Sequence, residues 1–502
     1  MGIIPNKDVR EYSLTSLLKN LGGNFMNVEG SFIHLFKTRG GNYAYDVNTN
    51  SFLKISKDTY ELLCKNMNSD SKEKQFEVIE DIKKEGFLSS NTIEEMVHPM
   101  SEILPSYLDS SLSMLTLQVT QQCNFRCKYC TYSGLDENRT HSNKDMSLDI
   151  AKKAIDFYIK HSRDSKYLNI GFYGGEPLLK FDFVKECVNY AKEKGVGKTV
   201  EFNMTTNGTL FNEERLKFLS ENNFRIMISL DGPKEIHDKN RTFLNGEGTF
   251  DKIMKNIEMI KSKYPKFLDE NIDFNAVIDG KSDVVCTNKF FINYDTVKDL
   301  KVRTSFVSDT YKKIEQFTVE EENMIKIGYE GFKVLLWKLG KLDEKHVSKL
   351  FQGNFNNVKN LLHDKKSTYK KLNKKGHHGG PCIPGVTRLF VTVDGKFFPC
   401  EKVNEKSKVM QIGNISDGFD IEKIRNLMNV GKLTENKCKR CWAFRYCFLC
   451  SAFADDNTKL SKEKKTSRCI EVRASVDEMF KTYCTLKEFG YDFEEKRIME
   501  NV

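Results

Sequence analysis

The sequence predicts an α/β protein in which a helix-wrapped parallel sheet fills the middle of the chain. A small β-meander with helices precedes it, and a cysteine-dense, loop-rich region follows. Three observations predict this. Residues 114–280 alternate buried-strand with amphipathic-helix patterns, residues 31–56 carry three short aromatic and β-branched runs, and ten of the fourteen cysteines fall in two regions. At 502 residues the chain is long enough for more than one core, so two or three domains are expected.

The first unit spans 1–105. SFIHLFKT (31–38), GNYAYDV (41–47) and SFLKIS (51–56), separated by GG and NTN, read as a three-stranded meander. SKDTYELLCKN and KEKQFEVIEDIKKEGF then place apolar residues at helical spacing, with Ser56 as N-cap of the first, giving a winged-helix-like order. Residues 92–112, with Pro99 and Pro105, connect this unit to the next.

The second unit spans 106–300. MLTLQVT, YLNIGFYGG, VEFNMTTNG, FRIMISLDG and IDFNAVID are strand patterns, and the helical patterns LDIAKKAIDFYIKHS, FDFVKECVNYAKEKG, RLKFLSENN and FDKIMKNIEMIKSKY lie between them. This rhythm predicts βα units and about five parallel strands in an open or partial barrel, with the functional site at the C-terminal strand ends. Residues 301–375 form a helical bridging region without a dense chemical motif. Residues 376–502 are loop-like and cysteine-rich, with a hairpin at 388–400 whose Asp394-Gly395 signals a type I′ turn.

Composition narrows the function. There are 79 Lys and Arg against 70 Asp and Glu, a spread-out excess that does not suggest a nucleic-acid surface. The second N-terminal helix mixes its lysines with Glu77, Glu80, Asp81 and Glu85, unlike a DNA-recognition helix. The one dense run, HDKKSTYKKLNKKG (363–376), is read as a solvated segment, the alternative being a patch for an acidic peptide. No apolar stretch is long enough to span a bilayer, and the opening MGIIPNKDVREYS lacks a signal-peptide pattern, so a cytoplasmic protein without membrane partners is expected. For a large Lys-rich chain, cysteines are better read as metal ligands than as disulfides.

Cys123-Asn-Phe-Arg-Cys127-Lys-Tyr-Cys130 directly follows the first barrel strand. Three thiolates so spaced can take three corners of a four-iron cluster and leave one iron open for chemistry, whereas zinc sites prefer paired CxxC or nearby histidines. CxxxCxxC with Tyr129 before the last cysteine, at the end of strand one of a βα barrel, resembles the radical S-adenosylmethionine (SAM) enzymes over 114–280. Gly174-Gly175-Glu176-Pro177 ends the second strand, where that family holds the methionine amino group of SAM. The resemblance implies that these four residues and Tyr129 bind the cofactor, and extends to Asn207 after strand three, Ser229 and Asp231 after strand four, Arg241, and the backbone of Val277.

Cys382, Gly395-x4-Cys400, Cys438-x2-Cys441-x5-Cys447-x2-Cys450 and Cys469 are similar to the seven-cysteine SPASM pattern, departing from it by one residue between Cys447 and Cys450. The resemblance implies two auxiliary clusters, making three [4Fe-4S] clusters with the SAM-binding one. Cys438, Cys441, Cys447 and Cys469 would close the distal cluster. Cys382, Cys400 and Cys450 would hold the nearer one, with an open iron as the expectation and His377 or His378 as the alternative fourth ligand. Glu401 stands near the place where relatives that oxidise a protein side chain carry a proton acceptor, and is the candidate catalytic base. Cys64, Cys187, Cys286 and Cys484 are expected to be neutral buried thiols.

Together these imply an α/β chain with a partial (β/α)6 radical SAM barrel, an N-terminal winged-helix-like recognition domain and a C-terminal SPASM domain. It resembles maturases of ribosomally synthesised Cys-rich peptides, of the sactipeptide and ranthipeptide type. The N-terminal domain would bind the leader of a Cys-containing precursor as an added strand, for which Phe32–Lys37 offers an edge. The implied reaction is hydrogen abstraction by a 5′-deoxyadenosyl radical and closure of a thioether, with the substrate thiolate on the open iron and a flavodoxin- or ferredoxin-type electron donor. Carbon–carbon crosslinking, sulfatase-type formylglycine formation and a non-catalytic zinc-rich binding protein remain as alternatives.

Overall fold

The structure, a computed structural model, describes residues 31–64, 73–132, 140–308, 310–311, 320–364, 372–380 and 382–494. The meander forms as β1 (Ile33–Lys37), β2 (Asn42–Asp46) and β3 (Ser51–Ile55), antiparallel in that order, with Ile33 opposite Asp46 and Asn42 opposite Ile55. Ser56 caps the helix Lys57–Cys64 by accepting from the Thr59 N–H at 3.0 Å, and the helix Glu73–Lys84 follows. A two-residue strand, β4 (Glu95–Met96), lies in the connector.

The apolar strand runs become β5 (Leu115–Thr120), β6 (Tyr167–Gly174), β7 (Thr199–Thr206), β8 (Arg225–Ser229) and β9 (Ile272–Ile278). They pair in parallel in chain order, and β10 (Val302–Phe306) adds a sixth parallel strand beside β9. β10 escapes a sequence reading because it is an edge strand with polar residues on most positions, and only Val302 and Phe306 are apolar. All six residues of β5 are buried, as expected of a strand covered on both faces. The covering helices present one apolar stripe each: Leu148–Lys160, capped by Ser147, buries Ala151, Ala154, Ile155 and Tyr158. Each large side chain so buried contributes about 1.5–3 kcal/mol.

Beyond the barrel the chain gives β11 (Lys375–Gly376), parallel to β4, then β12 (Leu389–Val391), parallel to β5 on the side away from β6. β13 (Lys396–Phe398), β14 (Gly413–Asn414) and β15 (Gly418–Phe419) continue antiparallel, so ten strands run as one sheet from β10 to β15. The 388–400 hairpin is not closed by a type I′ turn. Gly395 N–H donates to Thr392 C=O at 2.8 Å, Thr392 N–H donates to Lys396 C=O at 3.0 Å, and Gly395 alone takes positive φ, at +74°. That is a three-residue loop with glycine at the bulge, because positive φ is needed at one position and not two.

The meander does not stand alone. Phe480, in the helix Cys469–Glu488, packs against Tyr45 (ring centroids 4.5 Å apart) and Phe52 (5.0 Å), while His34 stacks on Trp442 at 3.5 Å and bonds Asp477 at 2.7 Å. The first described strands thus share a core with the end of the chain. Lys365, Lys366, Lys370 and Lys371 of the basic run lie outside the described residues, and Lys374 and Lys375 pair with Glu94 and Glu95.

Candidate functional site

The loop after β5 carries Cys123, Cys127 and Cys130 and is pinned from the far side of the barrel. Arg126 N–H donates to Thr242 C=O at 2.8 Å and Lys128 N–H to Asn240 C=O at 2.9 Å, while the Arg126 guanidinium holds the Cys123 and Phe125 carbonyls. The N–H groups of Phe125 and Tyr132 point at the sulfurs of Cys123 and Cys130, each at 3.4 Å. Burial, seconded at Cys123 by the charge of Glu176 and opposed at Cys127 by Arg241, pushes both thiols up to about 12. Such thiols are poor free nucleophiles, whereas bound iron would ionise them outright.

Gly174, Gly175 and Glu176 lie directly against this loop. Gly175 N–H donates to Thr120 C=O at 2.8 Å and Glu176 N–H to Gln122 C=O at 2.9 Å. A Cβ on Gly174 would stand 2.3 Å from the Thr120 oxygen, and one on Gly175 would stand 1.9 Å from the Gln122 oxygen, so only glycine permits the approach. The Glu176 side chain, expected to face an ammonium, is instead 1% exposed and turned inward. It accepts from Thr206 Oγ1 (2.7 Å), Asn207 N–H (2.7 Å) and Leu178 N–H (3.1 Å), which fills three of the roughly four acceptor positions of a carboxylate. Burial raises its pKa and these bonds oppose the rise. Pro177 begins the short helix that follows.

Asp231, Arg241, Tyr129 and Val277 converge in one buried network. Arg241 Nε and Nη2 donate to the two Asp231 oxygens at 2.9 and 3.1 Å, Val277 N–H donates to Asp231 at 3.0 Å, and the Tyr129 hydroxyl donates to it as well. Arg241 also lies over the Tyr129 ring and turns Nη1 toward Cys127 Sγ, 3.9 Å away. Burial opposes the guanidinium charge, but Asp231 together with Tyr129 and Cys127 outweighs it and Arg241 stays protonated. Val277 therefore contributes its N–H to Asp231. Asn207 bonds Asn124 in the cysteine loop at 2.8 Å, and Ser229 closes β8 in register with Asn275.

The remaining seven cysteines form two groups. Cys382, Cys400 and Cys450 lie within one another's electrostatic reach, and burial pushes Cys400 up to about 12. Cys438, Cys441, Cys447 and Cys469 line a cavity of about 270 Å³ with His378. Burial pushes Cys441 up to about 11 and Cys447 to about 12. Among the described residues no three His, Cys, Asp or Glu side chains converge as a single ion requires. A cavity edged by four thiols suits a four-iron cluster, whose ligands stand farther apart than those on one zinc.

The Radical SAM superfamily model matches residues 117–283. Residues 117–283 are a radical SAM domain. The chain is 40% identical to a cysteine-type anaerobic sulfatase-maturating enzyme of Clostridium novyi over 154 residues, 30% of this chain and 40% of that relative, so the alignment spans less than half of the relative. A second cysteine-type anaerobic sulfatase-maturating enzyme, from Clostridium perfringens strain 13, is 27% identical over 67% of this chain and 87% of its own length. The fold matches the solved structure of native anSMEcpe with bound AdoMet at TM-score 0.56 and 24% identity, over 75% of this chain and 98% of that one.

Around the radical SAM domain the structure corrects several expectations. Glu401 is held by Arg388, whose Nη1 donates to both carboxylate oxygens at 2.5 and 2.6 Å, so the expected proton acceptor is engaged by a guanidinium. His377 is no spare ligand, because Gly431 N–H donates to its Nε2 at 2.9 Å and its Nδ1 meets the His378 carbonyl at 3.1 Å. His378 faces the four-cysteine cavity and not the Cys382 group. Of the four remaining thiols, Cys187 and Cys484 are buried but Cys64 and Cys286 are exposed.

One constellation was not read from the sequence. Glu405 accepts from Gln118 Nε2 and the Tyr132 hydroxyl at 2.9 Å each, joining the cysteine-rich region to β5 and the cluster loop. The available signal was Gln118, a polar residue inside an otherwise buried strand, whose Oε1 accepts from Val393 N–H at 3.0 Å.

Proposed function

We propose that this radical SAM enzyme oxidises a cysteine-bearing polypeptide by two electrons and closes a thioether in it. The observation that carries the reading is the grouping of Cys382, Cys400 and Cys450 without a fourth cysteine, beside a separate four-cysteine site. An open coordination position there suits a substrate thiolate. Cys123, Cys127 and Cys130 would hold the SAM-binding cluster, and the other seven cysteines two auxiliary ones. When bound, SAM and its cluster supply a 5′-deoxyadenosyl radical, and the auxiliary clusters supply an electron sink.

The chain's own residues position and insulate this chemistry. Gly174 and Gly175 let the end of β6 pack directly on the backbone of the cysteine loop, and Arg241 and Asp231 fix Tyr129 beside Cys127. Leader binding would use an outer strand of the meander. β1, with the Phe32–Lys37 edge, and β3 are the two outer strands, and β3 also flanks a cavity of about 290 Å³ lined by Tyr43, Phe52, Lys54 and Glu488. A flavodoxin- or ferredoxin-type protein would donate electrons.

A second reading, conversion of a substrate cysteine to formylglycine, is supported by the names of the similar Clostridium enzymes. The Glu401–Arg388 pair weighs against it, since the carboxylate expected to accept a proton at this place is engaged by a guanidinium. Mass spectrometry of a short Cys-containing peptide encoded beside the gene, co-expressed with the enzyme, separates the two. Loss of two hydrogens with sulfur retained supports the thioether. Loss of sulfur with gain of oxygen refutes it.

A further inference from the structure

The four-cysteine cavity carries a charge pattern that hydrogen abstraction and thioether closure do not use. Lys465, in the helix Lys462–Ser467, is 1% exposed. Its ammonium donates to Thr434 Oγ1 at 2.7 Å and Val430 C=O at 3.2 Å, and reaches Cys438 Sγ at 3.5 Å. No carboxylate is among these partners. Thr434 Oγ1 also lies 3.1 Å from Cys438 Sγ. Lys437 and Arg473 line the same cavity, and the described lining contains no Asp or Glu.

His378 forms the opposite feature of the wall. Its ring is 3% exposed, and neither nitrogen makes a hydrogen bond of ordinary geometry, although the Cys447 main chain lies close. Its place is set by the next two residues. A Cβ on Gly379 would stand 2.3 Å from the Arg445 oxygen, and one on Gly380 would stand 2.4 Å from Phe448 Cα, so this segment lies flat on the chain carrying Cys447.

A buried ammonium without a carboxylate is costly unless something anionic answers it. A cluster with four thiolate ligands is anionic and gains one further negative charge when reduced, so a cation at its sulfur stabilises the reduced form more. An imidazole N–H on the wall of the same cavity acts in the same direction. We propose that Lys465, seconded by His378, raises the reduction potential of the cluster held by Cys438, Cys441, Cys447 and Cys469, making it the better electron acceptor. This rests on the reading that the site holds a cluster. Both are positioning residues that act through the ligands.

The test uses the full chain with Cys123, Cys127 and Cys130 changed to alanine, reconstituted anaerobically and titrated by EPR. Loss of one signal in Cys441→Ala assigns the four-cysteine cluster. Lys465→Met is expected to lower its potential by at least a tenfold change in the reduction equilibrium, about 59 mV for one electron. His378→Phe should give a smaller shift of the same sign, and Lys465→Arg should stay near the parent. If Lys465→Met sheds iron, Lys465→Gln, which can keep the bond to Thr434, replaces it under the same criterion. An unmoved potential in the neutral variant, or an equal shift in Lys465→Arg, overturns the proposal. A parent chain holding four irons or fewer instead of about eight refutes the two-cluster reading itself, a result distinct from an unmoved potential.

Discussion

Replacing Asp231 by alanine removes the acceptor on which the Arg241, Tyr129 and Val277 network converges. The carboxylate is 1% exposed and takes bonds from Arg241, Val277 N–H and the Tyr129 hydroxyl. Without it Arg241, its side chain 8% exposed, is left as a buried charge beside Cys127. Breaking a buried ion pair from one side costs about 3–5 kcal/mol. The stranded donors of Tyr129 and Val277 move the expected loss toward the upper end of that range. Against a total stability of about 5–15 kcal/mol, this is a large fraction. Urea unfolding of the anaerobically purified chain, followed by circular dichroism with iron content measured in parallel, reads the effect. Asp231→Asn should cost less because it keeps an acceptor in place. Adding Arg241→Met to Asp231→Ala should recover part of the loss, because the unpaired charge goes with it. A loss below about 1 kcal/mol in Asp231→Ala, or a double variant no better than the sum of the singles, would refute the reasoning.

Gly175→Ala must move the backbone at Gln122, only 1.9 Å from the new Cβ, and is expected to abolish SAM binding measured by equilibrium dialysis, while Gly328→Ala, in the helix Glu321–Lys338 with open space around it and no positive φ, does not. Phe480→Ala should cost about 3–5 kcal/mol and release the meander, seen as faster hydrogen exchange in β1–β3 with the barrel strands unchanged. The buried imidazole of His237 is lowered to about 4 from 6.5 by burial, so its neutral form stabilises the fold fully above pH 6.5. That stability, on the order of 3 kcal/mol, is lost progressively as pH falls from 6.5 toward 4, which pH-dependent unfolding of wild type against His237→Gln will show.

The barrel was legible because its signals are local. Runs such as MLTLQVT report a strand buried on both faces, the helices between them carry apolar stripes, and Gly174-Gly175 marks a close approach that no side chain permits. The CxxxCxxC loop is legible for the same reason, its three thiols lying within one turn of chain. β10 was not, since an edge strand needs only one apolar face, and the Asp394-Gly395 turn was misread because its partner residue, Thr392, decides the loop length. Glu401 and Glu405 lie four residues apart in one loop, and nothing in their order tells that the first meets Arg388 and the second Gln118 and Tyr132.

The sequence by itself determined the inventory: fourteen cysteines, their spacing, the alternation that makes a parallel sheet and the glycines at its rim. The tertiary structure decided the pairing. It brought Cys382 to Cys400 and Cys450, set Cys469 with the Cys438–Cys447 group, turned Glu176 inward, and placed Lys465 at the Cys438 sulfur. The physical reason is range. Hydrophobic periodicity and turn chemistry act over a few residues, whereas the charge and hydrogen-bond partners of a buried group come from whichever distant segments the core packs beside it.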